Sequence, residues 1–500
     1  MSRSLFSIAK LNAFSSLINF IVSSALTFFI SPFLVSFLGT NTFGIWKICQ
    51  KYLDFASIAD GRSSQALKWI VAKKEGENSV LNNSIEKKQA VGSALLIWIC
   101  FIPILLTIIG LLVYFLPFSI HDLKNEEFSV VRYTGVLLGL NILMGPLFGI
   151  PDAVLVGTNQ AYKSTLIQTI WLVLANLAML YVAYIGYGLI CMALVMFIVA
   201  CLKGITILII CRKNVDWFGI LKPNKIQTKS FLGFSFWVLI WSFVSRILLS
   251  SEILLIGVLV GANYITNYVF SAYIVQLGIA VGMITSSAVL PGMGALLGKK
   301  DFIKVRSIVA SIREVILVIA IIFGGLILAI NNAFVTLWVG NEFFIGDVEN
   351  VFLVIVMIQL IILRNEAQIQ DITLNIRKKV LYGISGAFSG FTLGIIFYLF
   401  ISKQIYTIFI GLFIGRLIIS LVFPIMVNRF INKKNSFPFK YLLGIILLIL
   451  SFYFQSFMIS DNWGLFILKA ISFASIYSII CFFVLLDQPN RRMILKRILK

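Results

Sequence analysis

Charge is scarce in this chain. Asp, Glu, Lys and Arg supply 12% of its 500 residues, where a soluble domain carries roughly 25%. With 60% hydrophobic residues and a mean hydropathy of +1.01, the sequence excludes a soluble multidomain enzyme. Histidine is nearly absent: His121 is the single one, which excludes a histidine-based metal or catalytic centre. The six cysteines, Cys49, Cys100, Cys191, Cys201, Cys211 and Cys481, lie in or at the ends of apolar segments. None has the C-x-x-C spacing of a zinc or redox site, so they read as small apolar residues. No phosphate-binding loop of the Walker type occurs, which argues against direct use of ATP. A cleavable signal is not expected, because the apolar stretch after the short basic Met1–Lys10 is too long for one. Acidic residues are the scarcer charge, 20 against 41 basic, for a net +21. On a soluble chain that surplus points to nucleic acid. On an oily one, basic loops flanking membrane spans account for it.

Long apolar runs are abundant. A bilayer-spanning helix needs about 20 mostly apolar residues. Breaks at polar clusters give spans at 11–37, 43–72, 89–116, 128–157, 161–185, 187–211, 230–260, 262–290, 303–331, 347–375, 378–402, 405–431, 440–459 and 462–487. The expected fold is an all-α polytopic membrane protein with fourteen transmembrane helices. The second and tenth spans are the least apolar. With a cytoplasmic N-terminus, the inner segments collect 28 of the 41 basic residues, and the outer loops hold only Lys124, Arg132 and Lys403. That asymmetry predicts an even number of spans in the cytoplasmic membrane, with both termini inside.

The basic connection 213–229 divides the chain. It separates an N-terminal six-helix bundle, 1–212, from a second, 230–435. Two further helices occupy 436–487, and a basic cytoplasmic tail covers 488–500. The halves echo one another. Leu38-Gly39-Thr40-Asn41 ends the first span and Val260-Gly261-Ala262-Asn263 the seventh. Two helices into each half stand Lys73-Lys74-Glu75 and Lys299-Lys300-Asp301. Internal repeats of this kind are common in transporters.

Polar residues inside spans are costly and usually face a bundle interior or a watery cavity. In the first span Asn12, Ser16, Asn19, Ser23 and Thr27 recur at helical spacing. In the second, Lys47, Lys51 and Asp54 share a face to which Gln65 returns, and Asp60-Gly61-Arg62 lies deeper. The seventh carries Ser235, Ser242 and Arg246 on one face, with Glu252 further along. The tenth carries Arg364, Gln368, Asp371 and Asn375, with Glu366 beside them. Lys203 and Arg416 stand isolated in the sixth and twelfth spans. Two readings stay open: these groups pair and lock helices together, or they line a mildly cationic cavity between the halves. In the second reading Lys47, Lys51, Arg62, Arg246 and Arg364 outnumber Asp54, Asp60 and Glu252. Such a cavity suits an anionic substrate, because Arg and Lys match phosphate and carboxylate. Trp46, Trp237, Trp241, Tyr264 and Tyr268 stand near the same faces, as sugar platforms or as interfacial packing.

The stretch Pro32-Phe33-Leu34-Val35-Ser36-Phe37-Leu38-Gly39, followed by Phe43-Gly44-Ile45-Trp46, resembles the opening of polysaccharide flippases of the Wzx type. These belong to the multidrug/oligosaccharidyl-lipid/polysaccharide exporter superfamily. Pro146-Leu147-Phe148-Gly149 with Val156-Gly157-Thr158-Asn159-Gln160 resembles the family's fourth helix. Phe234-Ser235-Phe236-Trp237, Gly257, Gly261 and Asn267-Tyr268 resemble its seventh and eighth, and Ala288-Val289-Leu290-Pro291 the end of the eighth. Leu337-Trp338-Val339-Gly340 resembles the start of the outer loop after the ninth. The likeness runs from about residue 5 to 430. It departs at Ile58-Ala59-Asp60-Gly61-Arg62, where the family commonly has small apolar residues.

The resemblance implies two pseudo-symmetric six-helix bundles forming a V, with helices one, two, seven and eight lining the cavity. It implies a non-enzymatic flippase without a cofactor. The substrate would be an undecaprenyl-pyrophosphate-linked oligosaccharide, a precursor of O-antigen lipopolysaccharide, capsule or exopolysaccharide. A polysaccharide polymerase and chain-length machinery would be its protein partners. Asn267, on the matching part of helix eight, joins the candidate substrate-binding set. A drug/cation antiporter of the same superfamily would want an acidic cavity. A membrane O-antigen polymerase or ligase would want a large outer loop, and those at 117–127 and 332–346 are short.

Overall fold

Inside a bilayer the backbone has no water to bond, so an apolar run must satisfy its own N–H and C=O groups as helix. The computed structural model describes residues 5–59, 63–76, 83–121, 123–223, 225–298, 301–372, 376–432 and 439–498. These residues are overwhelmingly helical and contain no strand. They form two compact units, Met1–Phe243 and Val244–Lys500.

The first unit contains α1 (Leu5–Leu38), α2 (Thr40–Leu53), α3 (Ser63–Gly76), α4 (Asn83–Phe115), α5 (Glu127–Gly157), α6 (Ala161–Ile185) and α7 (Gly188–Asn214). Helix α8 (Lys225–Leu259) contains the division between the units. The second unit continues with α9 (Ala262–Ser271), α10 (Tyr273–Gly298), α11 (Phe302–Val339), α12 (Asp347–Ile372), α13 (Ile376–Phe400) and α14 (Ile405–Phe430). It ends with α15 (Lys440–Tyr453), α16 (Gln455–Met458), α17 (Trp463–Leu485) and α18 (Gln488–Ile498).

Over its described residues each of the fourteen expected spans is mostly helical, and among the described residues eleven helices are long and apolar enough to cross a membrane. The second, tenth and thirteenth spans are the ones outside that set. The second is not one helix. Helix α2 stops at Leu53, a 3-10 turn runs over Asp54–Ala59, and α3 starts afresh at Ser63. A 3-10 turn winds three residues per turn, so it breaks the helical phase. Lys47 and Lys51 therefore share a turn of α2, while Asp54 opens the 3-10 turn and Gln65 belongs to another helix. The continuous stripe expected from Lys47 to Gln65 does not form. Asp60, Gly61 and Arg62 lie outside the described residues.

The echo between the halves has a backbone cause. Gly39 separates α1 from α2 at φ 79°, and Gly261 separates α8 from α9 at φ 134°. Only glycine takes such angles without steric cost. The second echo is looser: Glu75 ends α3 and pairs with Lys87 at 2.7 Å, whereas Asp301 caps α11 by accepting from the Lys304 amide at 3.2 Å.

In the first unit the core joins α3, α4, α5 and α7 through Leu67, Val71, Val91, Val154, Ile207 and Cys211. In the second, α11, α15 and α17 pack through Leu317, Ile321, Leu447, Tyr477 and Cys481. The α13–α14 hairpin closes to backbone contact. A Cβ on Gly415 would sit 2.3 Å from the Gly390 amide nitrogen, and one on Gly411 would sit 2.4 Å from the Leu393 carbonyl. Small residues let membrane helices close to backbone contact. Glu314 of α11 ties down the C-terminal helices. It takes Lys440 Nζ at 2.7 Å and Asn490 Nδ2 at 2.6 Å. Its Oε2 also accepts the Asp487 amide at 3.2 Å, and Lys440 Nζ reaches Asp487 Oδ1 at 2.8 Å.

Candidate functional site

The polar residues of α1 make hydrogen bonds to neighbouring helices and to their own backbone. Asn12 Nδ2 donates to Asn159 Oδ1 at 2.9 Å, and Asn12 Oδ1 accepts the Tyr162 amide at 2.8 Å. One side chain thus clasps the α5–α6 turn, where Asn159 sits at φ 60°. Asn19 Oδ1 accepts from Thr169 Oγ1 of α6 at 2.9 Å. The hydroxyls between them bond back to their own helix: Ser16 to the Asn12 carbonyl, Ser23 to Phe20 and Thr27 to Ser23. The helical spacing holds, and along it the side chains bond α6, the α5–α6 turn and their own helix.

Lys47, Lys51 and Asp54 belong to the first unit. Lys47 is half-buried, with Nζ 5.1 Å from the centroid of the fully buried Phe43 ring, a cation–π geometry. Lys51 is exposed. Asp54 is half-buried, and its carbonyl accepts Ser57 Oγ at 2.7 Å.

In the second unit Glu252 is 3% exposed and committed. Arg416 Nη1 donates to Glu252 Oε1 at 2.9 Å, and its Nη2 donates to Ser251 Oγ at 2.6 Å and to the Leu248 carbonyl at 3.0 Å. Arg416, isolated in the sequence, is the partner that Glu252 lacked. Asn267 Nδ2 donates to the Glu342 carbonyl at 2.8 Å, fixing α9 to the 3-10 turn Asn341–Phe343. Arg246 is half-buried on α8.

Helix α12 explains its own poor hydropathy: it is polar on more than one face. One face is packing. Arg313 of α11 grips Glu366 with Nε and Nη2, both at 2.6 Å, and sends Nη1 to Asn428 Oδ1 of α14 at 2.6 Å. Asn365 accepts from Ser286 of α10 at 2.8 Å. Glu366 therefore leaves the stripe beside which the sequence placed it. The other line is Arg364, Gln368 and Asp371. Arg364 Nη1 donates to Ser245 of α8, and Asp371 pairs with Lys379 of α13 at 2.5 Å. The Lys379 side chain is fully buried, while Asp371 is 46% exposed. Arg364 Nε and Gln368 Oε1 are buried and have no hydrogen-bond partner among the described residues. The line thus carries a guanidinium, an amide and an ammonium against one half-exposed carboxylate.

Sequence reading missed Lys379, Ser245 and Arg313. Lys379 follows Arg377 and Lys378, so it reads as loop charge. No spacing rule ties Arg313 or Ser245 to a helix far along the chain. Among the described residues no cluster of His, Cys, Asp and Glu has the make-up of a metal site.

No protein-family model and no curated protein matches the sequence. Solved structures match the fold. The chain is similar to a structure described as lipid II flippase MurJ in an inward closed conformation, with 14% identity and a TM-score of 0.67, over 94% of this chain and 97% of that one. It is similar to an inward-facing multidrug resistance MATE family transporter of the MOP superfamily, with 14% identity and a TM-score of 0.60, over 82% and 94%. A MOP superfamily transporter from Pyrococcus furiosus, described as having a binding pocket of reverse polarity, matches with 14% identity and a TM-score of 0.56, over 85% and 95%. At this identity the likeness carries the architecture: the chain is an all-α, multi-pass membrane protein with the fold of these transporters and flippases.

Proposed function

We propose that the chain is a flippase moving an undecaprenyl-pyrophosphate-linked oligosaccharide across the cytoplasmic membrane by alternating access. The observation that carries this reading is the cationic line of α12. Arg364 presents a planar fork suited to phosphate oxygens, Lys379 adds a point charge, and among the described residues Asp371 is the carboxylate paired there. Lys47 supplies a comparable half-buried cation in the first unit. A pyrophosphate would exchange its water for these donors while the polyprenyl chain stays in lipid. The step needs no covalent chemistry, and the residues involved bind, orient and release.

A drug/cation antiporter fits less well. It needs free buried carboxylates for an organic cation. Glu252 and Glu366, the deeply buried acids of the second unit, are each held by an arginine, at 2.9 Å and 2.6 Å. The likeness to a structure named for lipid II flipping adds support for a lipid-linked cargo. The test is Arg364→Ala in a host that depends on this chain for surface glycan. Lipid-linked repeat units should accumulate in the inner leaflet while Arg364→Lys retains partial export. Normal export by the alanine variant, with the protein present at wild-type level, would reject the reading.

A further inference from the structure

A second candidate site lies in the first unit, apart from Lys47, Lys51 and Asp54. The segment after α7 folds back against α4 and is pinned there. The Leu221 amide donates to the Lys88 carbonyl at 3.2 Å, and Trp217 Nε1 donates to Glu75 Oε1 at 3.1 Å. Lys87 lies over the Trp217 ring at 5.2 Å. Gly92 makes the approach possible, since a Cβ there would meet the Leu221 carbonyl oxygen at 2.0 Å. Between this segment and α4, α5 and α7 opens a cavity of about 580 Å³, within the size range of small-molecule sites.

Its walls are apolar, among them Leu95, Phe148, Leu208 and Phe218, and its rim carries Arg212 and Asp216. Both charged side chains are exposed, and neither has a hydrogen bond or ion pair among the described residues. Next to them Ile220 is 63% exposed and Leu221 40% exposed. Those exposed apolar side chains stand between Lys213 and Lys222, the mixture that a lipid interface accommodates. The helices that wall the cavity show apolar residues to their surroundings at the same end, with Leu96, Ile99, Ile205 and Ile209 all exposed.

We propose that this cavity is a phospholipid site selective for an ethanolamine headgroup, with an acyl chain in the apolar pocket, the phosphate on Arg212 and the ammonium on Asp216. A guanidinium answers a phosphate bidentately. A carboxylate on the same cavity repels a purely anionic headgroup and accepts N–H donors from a primary ammonium. A choline nitrogen has no N–H to give. The site is independent of the transport reading.

The experiment is native mass spectrometry of the full chain released from nanodiscs of phosphatidylethanolamine, phosphatidylglycerol and phosphatidylcholine in equal parts. The expected result is a retained ethanolamine lipid, enriched up to about fivefold over the glycerol lipid, the ratio that one exposed ion pair supplies. Asp216→Asn should bring that ratio within about twofold of unity, with Asp216→Glu retaining it. Arg212→Gln should strip all three lipids. Because both side chains are exposed and unpaired, each variant should melt in lipid-free detergent at the wild-type temperature. Retention of no lipid, equal or preferred retention of phosphatidylglycerol, or an unchanged ratio in Asp216→Asn overturns the assignment.

Discussion

Arg416 of α14 reaches Glu252 of α8 at 2.9 Å, and the two side chains are 1% and 4% exposed. Removing one partner of such a pair strands a charge in a low-dielectric interior, whereas removing both together costs far less. Arg416→Ala should therefore destabilise the protein by about 3–5 kcal/mol. The double variant Arg416→Met with Glu252→Gln should recover most of that loss. Thermal unfolding of the purified chain in detergent measures both. A double variant as unstable as the single would mean that the cost comes from packing rather than charge.

Asn12 yields a prediction of a different kind. It makes two hydrogen bonds to the α5–α6 turn, at 2.9 Å and 2.8 Å. Hydrogen bonds between membrane helices are worth about 1 kcal/mol each or less. Asn12→Ala should lower the melting temperature by a few degrees and leave discrimination between acidic and neutral glycans unchanged. A transport assay with both substrates separates the two readings. Selective loss of the acidic cargo, at unchanged stability, would return Asn12 to a cavity.

The glycines of the α13–α14 hairpin make a steric prediction. A methyl at Gly415 would face the Gly390 backbone at 2.3 Å, and backbone cannot swing aside as a side chain does. Gly415→Ala should cost about 1–3 kcal/mol, the usual penalty for overpacking. Gly464→Ala, whose Cβ would meet its nearest neighbour at 3.6 Å, is the control and should be nearly neutral. Both are read as apparent melting temperature in one detergent.

What was legible in the sequence were features local along the chain. Apolar runs marked the helices, and the odd hydropathy of 43–72 and 347–375 marked the two spans with special structure. The Gly39 and Gly261 matches marked two backbone turns. What was not legible were partners. Glu252 and Arg416 are 164 positions apart, beyond any helical spacing rule. Lys379 sits beside two basic neighbours and looks like a loop residue, yet its side chain is fully buried. The α1 stripe had the right period and an ambiguous meaning, since a polar face serves a neighbouring helix as well as it serves water. The break at Asp54–Ala59 has no proline to announce it.

Asp371 offers the sharpest test of the cationic line. It is the half-exposed member of its pair, and the Lys379 ammonium it holds is buried. Under the flippase reading this carboxylate stands in for the pyrophosphate and leaves Lys379 when cargo arrives. Asp371→Asn should therefore tighten binding of the lipid-linked substrate severalfold and slow its release, so that the apparent KM and the turnover number fall together. The structural cost should reach about 3 kcal/mol, because the fully buried Lys379 ammonium loses its counter-charge and keeps only a neutral acceptor. Binding to the detergent-solubilised protein and export in cells measure the two sides. If Asp371→Asn weakens binding while the protein stays folded, Asp371 is itself a substrate contact. If binding is untouched, Asp371 and Lys379 are joined only to hold α12 against α13.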